Sequence, residues 1–95
     1  MKSVPLYVGL DYHQDSVQVC VMDQAGTVLA NKAVENRWQC IVELAARYGK
    51  VKRAGIEAAT GAADLAEELA LKACWPVDLA HPGFARRIAT LAMDG

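Results

Sequence analysis

The sequence predicts an α/β domain on a mixed five-stranded sheet, with the element order βββαβαβα. Three observations predict it. The opening third holds three extended segments separated by short polar turns. Helical and extended periodicities then alternate to the end of the chain. The 95 residues, 54% apolar and 22% charged, suffice for one buried core and one domain. Right-handed crossovers in such an order set the later strands parallel to the first.

Residues 6–11 form a short, nearly continuous apolar run that ends in Asp11 and suits a central strand buried on both faces. Tyr12-His13-Gln14-Asp15 is turn-like. Residues 16–22 alternate, with Val17, Val19 and Val21 on one face and Ser16, Gln18 and Cys20 on the other, the period of a half-buried strand. Asp23-Gln24-Ala25-Gly26 closes a second turn, and residues 27–34 complete an antiparallel meander. The period then changes. Trp38, Ile41, Leu44, Ala45 and Tyr48 recur at helical spacing, with Asn36 placed as an N-cap and Gly49 as the stop. Residues 51–58 read as a fourth strand. Thr60-Gly61 opens a helix striped by Ala62, Leu65, Ala66, Leu69 and Ala73, with Asp64, Glu67 and Glu68 early, where the helix dipole favours acids; Pro76 stops it. Residues 77–80 form a last short strand, and Pro82 leads into a third helix carrying Phe84, Ile88 and Leu91. In the ribonuclease H-like architecture, which has this order, the first and fourth strands are neighbours. Asp11 and Glu57 then end adjacent strands.

Ten basic and eleven acidic residues give a formal net charge of -1, which argues against a disordered tail and a self-sufficient nucleic-acid-binding module. No run reaches the roughly 18 apolar residues of a membrane span. The opening segment is too short and too soon acidic for a secretory signal, so the expectation is cytoplasmic. Cys20, Cys40 and Cys74 are widely spaced in apolar contexts and read as reduced core cysteines. Ala92-Met93-Asp94-Gly95 follows a helix-like pattern with no closing signal, which suggests a fragment.

Two carboxylates at the same end of adjacent parallel strands sit where ligands of open α/β sheets bind. Their repulsion is relieved by a divalent cation with a preference for hard oxygen donors. Two such ions about 4 Å apart activate the attacking oxygen and stabilise the leaving one in phosphodiester cleavage. Taken singly, Asp11 could serve its turn and Glu57 the following helix. His13 and His81 lack partners at metal-site spacing, and Ser16 and Thr60 lack a base. Lys50, Lys52, Arg53, Arg86 and Arg87 are candidate phosphate contacts, although scattered charges more often mark a solvated face. Trp38 and Phe84 read as core rather than base-stacking platforms.

Val8-Gly9-Leu10-Asp11-Tyr12-His13, Asp15-Ser16-Val17, the stretch from Ile56-Glu57 through Thr60-Gly61 to Asp64-Leu65, and Val77-Asp78-Leu79-Ala80-His81-Pro82-Gly83 together resemble the N-terminal catalytic domain of the DEDD transposases of the insertion sequence 110 family, relatives in fold of the RuvC resolvase. The resemblance spans essentially all of the chain, residues 1–95. It implies a RuvC-like, ribonuclease H-like fold and four metal-binding acids, with Asp11 first and Glu57 second. It also implies Mg2+, with Mn2+ able to substitute, once two downstream aspartates absent from this sequence are supplied. Further implications are DNA as substrate, a guide RNA encoded by the element, a homo-oligomer, and a C-terminal transposase domain carrying a serine nucleophile. Many members have Glu-Ala-Thr-Gly, whereas two alanines separate Glu57 from Thr60 here.

The resulting expectation is the N-terminal part of an enzyme that cuts and joins DNA, inactive as this fragment because half a carboxylate set holds magnesium poorly. Two alternatives stand beside it. One is a fragment of an actin-like sugar kinase, disfavoured by the absence of glycine in Tyr12-His13-Gln14. The other is a noncatalytic α/β interaction domain.

Overall fold

The computed structural model describes residues 5–80. In chain order they form β1 (Pro5–Tyr12), β2 (Ser16–Met22), β3 (Val28–Glu35), α1 (Trp38–Ala46), β4 (Lys50–Glu57), α2 (Ala62–Lys72) and β5 (Val77–Ala80). The expected third helix, with Phe84, Arg86, Arg87, Ile88 and Leu91, lies outside the described residues, as does His81.

The strands make one mixed sheet of order β3-β2-β1-β4-β5. The meander β1–β2–β3 is antiparallel, while β4 lies parallel to β1 and β5 parallel to β4. The α/β class, the five strands and the adjacency of the first and fourth strands agree with the expectation. Both described helices bury one stripe against one face of the sheet. Leu6, Val8 and Leu10 of β1, Val17, Val19 and Val21 of β2, and Ala54 and Ile56 of β4 meet Ile41 and Leu44 of α1 and Ala62, Leu65 and Leu69 of α2. Each large side chain so buried contributes roughly 1.5–3 kcal/mol by its removal from water. No helix among the described residues is long and apolar enough to cross a membrane.

The turns are built locally. Asp23 Oδ1 accepts from the backbone N–H of Ala25 and of Thr27, both at 2.9 Å, and Gly26 supplies the φ of 84° that the β2–β3 turn needs. The register of β1 against β4 slips between Leu6 and Tyr7: Leu6 faces Val51 and Tyr7 faces Arg53, leaving Lys52 as the extra, exposed residue.

Four readings are corrected. Asn36 does not cap α1. The N-cap is Arg37, in extended conformation and without a side-chain cap bond, because the Asn36 amide is engaged elsewhere. β2 is not half-buried throughout: Cys20 and Met22 on its second face are 2% and 8% exposed, since β2 is an interior strand with side-chain rows of β1 and β3 on either side. Cys74 is exposed rather than core. It takes φ of 59° just beyond α2, where the chain closes the helix with Trp75 N–H donating to Leu69 O at 3.2 Å and Trp75 turns inward. Cys40 is half-buried, and only Cys20 is a core thiol, its pKa raised from 9.0 by burial.

Candidate functional site

Leu10 and Ile56 are the last register partners of β1 and β4, and both are fully buried on the helix-covered face. One residue further along each strand stand Asp11 and Glu57. Alternation turns both toward the opposite face, at the carboxyl ends of two parallel strands in the middle of the sheet. Sequence neighbours could not achieve this. The two acids are brought side by side only by the crossover through α1.

Their surroundings differ. Asp11 lies opposite Gln18 of β2, with its side chain 25% exposed, and its Oδ2 is 3.5 Å from His13 Nε2. Glu57 is half-buried, and its Oε2 is shielded from solvent without a hydrogen-bond partner among the described residues. A buried, unpartnered carboxylate oxygen is costly to leave unpaired, on the order of 1–3 kcal/mol or more for a charged group. A bound cation satisfies it. Two carboxylates are hard oxygen donors of the kind magnesium and manganese prefer, so the donor chemistry fits such an ion. The number falls short: no group of three or more His, Cys, Asp or Glu able to hold a metal occurs among the described residues.

Tyr12, next to Asp11, packs on the helix side against the core and roofs the start of α2. The backbone there passes directly under its ring at Gly61, whose φ is 89°. The N-terminus of α2 is thus seated beside the end of β1.

The basic residues are not gathered at this end. Lys52 and Arg53 precede Glu57 by five and four residues, roughly 16 and 13 Å along an extended strand. Arg53 is also engaged: its Nη1 donates to Asp78 Oδ2 of β5 at 2.6 Å. Lys50 starts β4 at the other end of the sheet and Arg86 and Arg87 lie outside the described residues. Trp38 packs against the core, with Lys72 Nζ 5.7 Å from its ring centroid. Asn36 is the residue at this end that sequence reasoning misread. Its Nδ2 donates to His13 O at 3.1 Å and to Gln14 O at 3.0 Å, and its backbone N–H to Asp15 O at 3.3 Å. Helix spacing marked it only as a cap.

No protein-family model matches the chain, and no curated protein matches it. Among solved structures the fold is similar to a ROK family glucokinase from Streptomyces griseus, solved in complex with glucose and AMPPNP, with a TM-score of 0.51 and 19% identity over 80% of this chain. The match covers 33% of that chain, so this sequence spans about a third of the kinase's length. At that identity the likeness is one of fold: a mixed α/β arrangement in which a meander of three strands is extended by parallel ones.

Proposed function

We propose that the chain is the N-terminal part of a DEDD transposase catalytic domain with a ribonuclease H-like fold, in which Asp11 and Glu57 supply two of the acids that hold Mg2+ for cutting and joining DNA. The observation that carries the reading is the placement of these two carboxylates one step beyond the Leu10–Ile56 pair, at the same end of adjacent parallel strands. The unpartnered Glu57 Oε2 supports it. When bound, magnesium supplies activation of the attacking oxygen and stabilisation of the leaving one. The contribution of the chain's own residues is positional. Asp11 and Glu57 present oxygen donors from strands locked in register, while Tyr12 and Gly61 seat the start of α2 beside them. DNA as substrate, an element-encoded guide RNA and homo-oligomeric assembly belong to the same proposal and rest on the sequence resemblance. The pair alone holds the ion weakly, so the 95-residue chain is expected to be inactive.

Crystals soaked in manganese test the reading by anomalous scattering. A manganese ion contacting both Asp11 and Glu57 is the expected result. Carboxylates that bind no ion, together with an intact protein that still cuts DNA as Asp11→Asn and Glu57→Gln, would overturn it.

A second reading, a fragment of a sugar kinase, is favoured by the fold likeness to the glucokinase. Its weakness is the β1–β2 turn, where Tyr12-His13-Gln14 offers no glycine for close approach of a phosphate to the backbone. Broadening or shifts of the amides of residues 12–16 on adding AMPPNP would favour it, and silence there would remove it.

A further inference from the structure

The turn between β1 and β2 is only three residues long, and one backbone bond, His13 N–H to Ser16 O at 2.9 Å, already closes it. Three more bonds reach it from Asn36, which stands just past the far edge strand β3, more than twenty residues away. The side-chain amide of Asn36 takes both the His13 and Gln14 carbonyls, and its backbone N–H takes that of Asp15. An exposed turn needs no such clamp for closure. The clamp fixes the backbone of His13, and with it the starting point of a side chain whose Nε2 lies 3.5 Å from Asp11 Oδ2.

We propose that Asn36 and His13 are positioning residues of the Asp11–Glu57 end: Asn36 immobilises the turn, and the His13 imidazole so carried orients the Asp11 carboxylate beside Glu57 for a hard divalent cation. This rests on the metal-binding reading given above. The exposed His13 imidazole stands 3.5 Å from one of the two carboxylates, longer than a close hydrogen bond; bonded partners of ligating groups are worth roughly 10–100-fold in metal affinity, so the lower end of that range is expected here. Asn36 acts at one further remove. Its amide is suited to the task because its Nδ2 has two donors, one for each carbonyl.

The test is Mn2+ titration of the isotopically labelled 95-residue chain, read by paramagnetic broadening of the Asp11 and Glu57 amides, with hydrogen exchange of the 14–16 amides measured alongside. His13→Ala is expected to raise the manganese concentration for half-broadening roughly ten-fold. His13→Gln, whose amide can still donate to Asp11, is expected to recover most of that loss. Asn36→Ala is expected to speed exchange in the turn and to weaken manganese binding several-fold, while the amides of β4 keep their protection. Broadening that is identical in the wild type, His13→Ala and Asn36→Ala would overturn the positioning roles and leave the metal reading standing. Absence of broadening at Asp11 and Glu57 in the wild type even at millimolar manganese, enough to populate a weak two-carboxylate site, would overturn both.

Discussion

Gly61→Ala joins two separable penalties at one atom. The backbone at Gly61 has φ of 89°, and an added Cβ would overlap the Tyr12 hydroxyl oxygen while lying 2.9 Å from Cζ and 3.2 Å from Cε1 of the same ring. Holding a non-glycine residue in the left-handed region costs about 1–2 kcal/mol. Displacing a ring packed against the core costs about 1–3 kcal/mol more, as overpacking does. The expected loss is therefore about 2–5 kcal/mol, between a large share and all of the 5 kcal/mol or so that holds a small domain together. With a urea dependence of about 1 kcal/mol per molar, the unfolding midpoint falls by at least about 2 M, which the fluorescence of Trp38 and Trp75 reports. A double-mutant cycle separates the terms. In a Tyr12→Ala background the same substitution keeps only the backbone cost, so a coupling of about 1 kcal/mol or more is expected between the two sites. A loss below about 0.5 kcal/mol, or strictly additive single effects, would refute the account of how Tyr12 and Gly61 seat α2.

Three further outcomes follow from other parts of the molecule. Burial raises the Cys20 thiol pKa from 9.0, so above about pH 9 the unfolded chain releases a proton that the folded one retains; stability falls with rising pH there, and Cys20→Ala flattens that slope in urea titrations compared across pH 8–10. Glu57→Gln, assayed with EDTA present, raises stability on the order of 1 kcal/mol, because a neutral amide is cheaper to leave unpaired than a carboxylate; a loss of stability would show that the carboxylate is already satisfied. Arg53→Ala shifts the urea midpoint by less than the equivalent of about 1 kcal/mol, since both Arg53 and Asp78 are more than half exposed despite their 2.6 Å contact.

Much of the framework was legible because it is local. The alternation of Val17, Val19 and Val21 marks β2 with the bounds it adopts, Ser16–Met22, and Ile41, Leu44 and Ala45 are the buried residues of α1 that their spacing implied. Crossover handedness gives only the parallel sense of β4; its place beside β1, which sets Asp11 and Glu57 at the ends of adjacent strands, is the arrangement expected of a ribonuclease H-like order of elements. What stayed hidden is long-range side-chain chemistry. Asn36 in front of a helical pattern has the form of an N-cap, and nothing in its neighbourhood shows that its amide is drawn to carbonyls more than twenty residues back. Cys74 was misread for a related reason: its apolar surroundings suggest burial, but the helix ends in a left-handed residue, and the position that turns inward is the next one, Trp75. Likewise, the pairing of Arg53 with Asp78 depends on the register of β5 against β4, which composition does not encode.

The docking of β4 beside the central strand β1 also governs when the two acids meet. Asp11 and Glu57 are forty-six residues apart, and nothing in the β1–β2–β3 hairpins brings them closer; the contact forms only once α1 has crossed the sheet and β4 has docked on β1. A chain emerging from synthesis thus presents its meander strands first and acquires its paired carboxylates late, through a contact of high sequence separation whose closure is entropically slow. The paired carboxylates, with the repulsion their closeness carries, are absent from partly folded chains and are created together with the core beneath them.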